Sequence, residues 1–264
     1  PLLYPEFDRL LLMLRSMGMI VSLNTNGTLL DEKRVDLLAR EGVRRVNITL
    51  YGKDDETYAS LCKNPKGHTQ VIHALELLKE RGIAFRITLS LTEKNIKDLP
   101  YIRDVADRFE APLQPAAYMF PSFRREDKAK ESRMDAKSAA KAVVDSYMMK
   151  HPDTDVSSAA LQTLYQTALP SRIPEKGFSC TAGNSGFWIN WRGDMSPCGM
   201  FEDPGLSLLD HTFKEGWDFT IEETLKMKQC VECRNCRLVN VCQVCPAACR
   251  AETGRTDGKP QYVC

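Results

Sequence analysis

The stretch "CVECRNCRLVNVCQVCPAAC", residues 230–249, holds six of the ten cysteines of a 264-residue chain, and nine of the ten lie at or after Cys180. Thiols at that density are cross-linked, buried as small apolar groups, or gathered around a metal. Disulfide scaffolds are small, secreted and evenly stapled, whereas this chain joins a long cysteine-poor front, containing only Cys62, to a cysteine-rich tail. No apolar run approaches the roughly 20 residues that span a bilayer, and "PLLYPEFDRL" lacks the basic region and apolar stretch of a signal peptide. A cytoplasmic address is therefore expected, where thiols stay reduced and dense cysteine sets bind metals or carry redox chemistry.

Composition is globular, with 43% hydrophobic and 27% charged residues, and the formal net charge of +1 predicts neither nucleic acid nor membrane as a partner. Pro1 in place of Met suggests a processed chain or a fragment of a longer one.

The front reads as α/β. Phe7, Leu10, Leu11 and Leu14 stand at helical spacing before Gly18. A β-rich run then ends at the turn signal Asn26-Gly27, and Asp31 caps a helix that closes at Gly42. Strand "RRVNITLYG", helix "GHTQVIHALELLKERG", strand "AFRITLSL", helix "NIKDLPYIRDVADRF" and strand "PLQPAAYMF" repeat the unit. Such alternation predicts a parallel sheet with its chemistry at the carboxyl ends of the strands. Asn47, Thr49, Thr88 and Ser90 interrupt strands that would be apolar throughout if both faces were covered. These side chains either face a polar ligand or bond to neighbouring backbone. A charge- and alanine-rich connector follows, with a helix near 135–149, and the domains are expected at 1–125, 126–175 and 176–264.

In the tail, Cys180 is followed after twelve residues by Gly193 and after four more by Cys198. Cys233, Cys236, Cys242 and Cys245 then stand at C-x2-C-x5-C-x2-C spacing, and Cys264 ends the chain. Gly193 reads as a hairpin tip that returns Cys198 toward Cys180. Paired CxxC motifs suit zinc as well as iron–sulfur clusters. The absence of histidine from the cysteine cluster, the near-double set of four thiols and the Cys245-Pro246 pair favour iron.

These spacings resemble the SPASM domain of radical S-adenosylmethionine enzymes, whose pattern runs C-x(9–15)-G-x4-C, C-x2-C-x5-C-x3-C and a last C. The sixth cysteine of that pattern falls on Pro246, leaving Cys245, favoured for its proline, or Cys249. The resemblance implies two auxiliary [4Fe–4S] clusters. Cys180, Cys198 and Cys245 would hold the first, with Cys249, Cys230 or an open position as its fourth ligand; Cys233, Cys236, Cys242 and Cys264 would hold the second. The front is similar to the later part of the family's partial (β/α)6 barrel, with "PLLYPEF" following its GGEP segment. On that likeness Asn47, Thr49, Thr88 and Ser90 bind S-adenosylmethionine.

The family's CxxxCxxC loop, which holds the catalytic cluster, is expected upstream of Pro1, because no cysteine precedes Cys62. The implied activity is radical oxidation or cross-linking of a peptide or protein, with flavodoxin or ferredoxin as the electron donor. The non-enzymatic alternative is a zinc-bound interaction module on an α/β scaffold. Protein purified without oxygen is expected to be brown and to hold roughly eight irons per chain; a colourless, zinc-loaded preparation would select the module instead.

Overall fold

The computed structural model describes residues 1–119, 132–155, 157, 177–178, 180–201, 203–234, 236, 238, 242 and 244–264; most of the connector expected at 126–175 lies outside them. The described residues fall into two compact units: Pro1–Met119 with Ser132–Pro152, and those from Asp153 to Cys264.

The first unit opens with helix α1 (Phe7–Ser16), which buries Phe7 and Leu11. Strand β1 (Ser22–Thr25) follows, then α2 (Glu32–Arg40), whose Asp31 cap accepts the Arg34 N–H at 2.8 Å. β2 (Arg45–Thr49) leads into α3 (Asp55–Cys62), a helix that the sequence pattern did not predict. Its apolar face is reduced to Tyr58, although Asp54 caps it by accepting the Thr57 N–H at 2.8 Å. α4 (Gly67–Glu80), β3 (Phe85–Ser90), α5 (Leu99–Arg108) and β4 (Leu113–Ala116) complete the alternation. All four strands are parallel, in the order β1-β2-β3-β4. α6 (Ala136–Met148), expected within the connector, groups with this unit.

Period-two alternation gives the sheet two different faces. Val46, Ile48, Ile87 and Leu89 are buried, as are Val71, Ala74, Leu75 and Leu78 of α4. The intervening positions Asn47, Thr49, Arg86, Thr88 and Ser90 are only partly buried. The residues beyond β2 and β3 are tied by a buried polar hub. Asn95 Nδ2 donates to the carbonyls of Tyr51 (2.8 Å) and Ser90 (3.0 Å), and Asp98 Oδ2 accepts from Lys53 N–H (3.3 Å) and the Thr57 hydroxyl (3.2 Å).

The second unit contains a small antiparallel sheet, β5 (Trp188–Ile189), β6 (Asp194–Ser196) and β7 (Leu206–Ser207). Gly193, at φ +87°, turns the predicted hairpin, pairing Trp188 with Ser196 and Ile189 with Met195. α7 (Phe213–Lys226) starts on a capping box in which Thr212 and Glu215 each bond to the other's backbone N–H. The short α8 (Val231–Arg234) and α9 (Pro246–Thr253) carry the thiol-rich segment. No described helix is long and apolar enough to cross a membrane.

Gly27 has φ +79°, and a Cβ there would lie 2.4 Å from Ile48 Cδ1 in the sheet core. Gly82 has φ +65° with nothing within 4 Å of such an atom. Gly27→Ala is therefore expected to destabilise the first unit by roughly 2–5 kcal/mol, from backbone strain plus overpacking. Gly82→Ala should cost about 1–2 kcal/mol from backbone alone, and urea unfolding of the two variants measures the difference.

Candidate functional site

Two regions gather chemistry-bearing side chains, one in each unit. In the first unit a cavity of about 860 Å³ opens on the polar face of the parallel sheet, lined by Asn24, Asn47, Thr49, Arg86, Thr88 and Gln114 among others. Strand register builds this wall. Asn24 lies beside Asn47 and Asn47 beside Arg86, while Thr49, Thr88 and Gln114 form the next row.

The hydrogen bonds fix which groups remain available. Asn47 Nδ2 donates to Asn24 Oδ1 at 2.6 Å, while Asn47 Oδ1 is buried without a partner among the described residues. Thr88 donates its hydroxyl to the Ile48 carbonyl at 3.2 Å and stands 3.1 Å from the Thr49 hydroxyl. Because a hydroxyl has one proton, Thr49 is then the donor to Thr88 and keeps its lone pairs for a ligand. The Thr88 hydroxyl thus bonds to neighbouring backbone, while the Thr49 oxygen keeps acceptor capacity on the cavity side. Arg86 gives an N–H to Gln114 Oε1 at 2.7 Å and adds a cation to the wall.

Asn47, Thr49 and Thr88 line the cavity, but Ser90, expected to face it too, does not. Ser90 shares their face by strand parity, yet it ends β3 beyond the lining, where its carbonyl accepts from Asn95. Sequence reasoning missed Asn24, Arg86 and Gln114. Their parity with Asn47 and Thr88 was the available signal, and β1 and β4 were too short to display it.

In the second unit, Cys233, Cys236, Cys242 and Cys264 line one cavity of about 360 Å³ together with Gln229, Glu232, Leu238, Val244, Lys259 and Val263. A narrow cleft of about 10 Å³ is lined by Cys230, Cys233, Cys245 and Cys249, again with Gln229 and Val244. Cys198 and Cys245 pack against the apolar cluster of Phe178, Ala182, Phe201, Met227 and Ala247. Burial pushes the Cys198 thiol up, and the charges of Cys245 and Cys180 add to the effect, so these three thiols are electrostatic neighbours. Burial also pushes Cys233 up to about 12, reinforced by Cys230, Cys264 and Cys242. Cys249 rises to about 12 through burial, with Cys233, Cys230 and Cys245 contributing in that order. Thiolates crowded in this way repel one another unless a cation or a cluster compensates them. Cys62 is exposed and far along the chain from all of these.

Among the described residues no three His, Cys, Asp or Glu side chains converge closely enough to hold a single metal ion. The Cys245 backbone is extended (φ −131°, ψ 167°) and Pro246 opens α9, the conformation that a proline imposes on the residue before it.

Residues 1–105 match the Radical SAM superfamily. Curated relatives include the AdoMet-dependent heme synthases of Methanosarcina barkeri, 22% identical over 90% of this chain and 72% of that protein, and of Oleidesulfovibrio alaskensis, 23% identical over 94% and 68%. Among solved structures, Streptococcus suis SuiB bound to precursor peptide SuiA superposes with a TM-score of 0.72 at 17% identity, covering 99% of this chain and 62% of SuiB. Native anSMEcpe with bound AdoMet gives 0.71 at 20% identity, covering 97% and 75%. The chain therefore spans less than two thirds of SuiB, and at these identities the superpositions establish the fold. The matched residues 1–105 hold strands β1 to β3 of the parallel sheet, so the front of the chain is similar to the Radical SAM superfamily in sequence and the whole chain is similar in fold to the two superposed structures.

Proposed function

We propose that the chain serves a radical S-adenosylmethionine oxidoreductase that acts on a peptide or protein, with two auxiliary [4Fe–4S] clusters held by the tail. The observation that carries this reading is the convergence of Cys233, Cys236, Cys242 and Cys264 on one cavity. These are the four residues whose spacing matches one complete SPASM ligand set. Four thiols lining one cavity of about 360 Å³ are the donor set that a [4Fe–4S] cluster takes. Cys180, Cys198 and Cys245 would hold the other cluster, with Cys249 as the nearby candidate for its fourth ligand. When bound, the cofactors supply the one-electron and hydrogen-abstraction chemistry.

The chain's own contribution is binding, orientation and exclusion of water. At the front cavity, Asn47 Oδ1 and the Thr49 oxygen present acceptors, and Arg86 presents a cation. The ribose hydroxyls, ammonium and carboxylate of S-adenosylmethionine complement that set, so the residues fit the cofactor. Around the tail cavity, Leu238, Val244 and Val263 supply apolar lining beside the thiols, of which Cys236 and Cys264 remain exposed. No three cysteines of this sequence stand at CxxxCxxC spacing; a reducing cluster for cleavage is not provided by these residues. A flavodoxin or ferredoxin is the proposed electron donor.

A second reading is favoured by the relatives named heme synthase, whose similarity runs along nearly the whole chain. On it, the substrate is a heme precursor and the two cavities keep the same roles. Turnover of the complete enzyme with a peptide library against a tetrapyrrole separates the two readings.

Asn47→Leu is expected to weaken binding of S-adenosylmethionine about tenfold, the value of one buried hydrogen bond. Ser90→Ala, which lies beyond the lining, should leave it unchanged. Isothermal calorimetry on this chain reads both, and equal effects would relocate the cofactor. For the clusters, Cys236→Ala should remove about four of roughly eight irons and leave the other cluster's spectrum intact. Cys245→Ala should remove the complementary four, whereas Cys249→Ala leaves both clusters assembled. A full iron count in Cys245→Ala protein would transfer its role to Cys249.

A further inference from the structure

Gln229 is 5% exposed, and both its side-chain Nε2 and its Oε1 are buried without a hydrogen-bond partner among the described residues. Leaving a buried polar group unsatisfied is costly, so an amide with both ends orphaned marks a site where something else completes it. The main chain at this position is held in place: Arg234 donates from Nε (3.2 Å) and Nη2 (3.1 Å) to the Gln229 carbonyl. Gln229 also lines both the 360 Å³ cavity of Cys233, Cys236, Cys242 and Cys264 and the narrow cleft of Cys230, Cys245 and Cys249. The other non-thiol residues of the larger cavity wall are Glu232 and Lys259, which are exposed, and the apolar Leu238, Val244 and Val263. Gln229 is thus the buried polar side chain of that wall.

We infer that Gln229 is a positioning residue for the cluster between Cys233, Cys236, Cys242 and Cys264: its Nε2–H donates to a cluster sulfur and raises the cluster's reduction potential. The inference rests on the two-cluster reading above. Its direction follows from the donor set. Four ligating thiolates and the sulfides they surround are acceptors only, so they attract the N–H end of the amide and repel its oxygen. A donor on sulfur stabilises the reduced cluster, which carries the more negative charge, over the oxidised one. No ligand is supplied by Gln229, so cluster assembly does not require it.

The test is an anaerobic redox titration followed by electron paramagnetic resonance on the reconstituted chain, with the signal assigned by its absence in Cys236→Ala. In Gln229→Leu the iron count is expected to stay at the wild-type value. At a fixed potential the ratio of reduced to oxidised cluster should fall about tenfold, which is 59 mV for a one-electron couple. Gln229→Glu, of the same size but without the donor, should shift at least as far in the same direction. An unmoved or raised midpoint in either variant that retains its iron overturns the inference. Loss of the cluster from both variants overturns it as well, because a residue acting only through a hydrogen bond is dispensable for assembly. A wild-type chain that takes up zinc or no metal defeats the cluster reading itself, and does so before any variant is made.

Discussion

Burying one large apolar side chain stabilises a fold by roughly 1.5–3 kcal/mol, and ordering each residue's backbone costs about 1–2 kcal/mol. In the second unit ten apolar side chains are described as buried, of which three are alanine and two cysteine. Phe178, Met195, Phe201, Met227 and Val244 remain as the substantial contributors. Among the described residues of this unit, the thiols are therefore as prominent in the interior as the large apolar side chains. Gly193 closes the turn Asn190–Gly193 between β5 and β6, helix α8 is four residues long, and Cys264 lines the same cavity as Cys233.

The first unit obeys the opposite rule. Its strands are dry on one face, with Val46, Ile48 and Ile87 fully buried, and this leaves Asn24, Asn47, Thr49, Arg86 and Thr88 on the other face to form a continuous polar wall. The hydrogen bonds within that wall leave acceptors at Asn47 Oδ1 and the Thr49 oxygen and donors on Arg86. The Asn95–Asp98 hub, itself buried, ties the residues that follow β2 and β3 to one another, so the wall ends on fixed backbone. A scaffold of this kind holds polar groups within narrow limits because their rows are set by strand register.

Much of this was legible in the sequence because it depends on local periodicity. Phe7 and Leu11 announce α1, Asp31 caps α2, Asn26-Gly27 turns the chain, and Gly193 sits at a hairpin tip. Cys233, Cys236, Cys242 and Cys264, which the family resemblance grouped in the sequence, line one cavity. Other features depend on contacts that no local pattern encodes. Helix α3 has little apolar periodicity, and Tyr58 alone is buried, with its hydroxyl accepting the Tyr51 N–H at 3.0 Å. Ser90 keeps the expected parity yet lies beyond the cavity, since the extent of a pocket is a tertiary property. Gln229 reads in sequence as one more polar residue after a helix; its burial appears only once the walls on both sides of it are assembled.

The thiols of the segment from Cys230 to Cys249 line two different spaces, and its backbone explains how. Pro246 fixes the start of α9 and forces Cys245 into an extended conformation outside the helix, with its side chain against the Phe178 and Phe201 cluster beside Cys198. Cys249 lies one turn into the helix, its N–H bonded to the Cys245 carbonyl at 3.0 Å, and is buried among Cys233, Cys230 and Cys245. The cleft there, about 10 Å³, is at the lower limit for admitting one water. Gln229 and Val244 line both this cleft and the larger cavity of Cys233, Cys236, Cys242 and Cys264, so a single buried amide borders both groups of thiols.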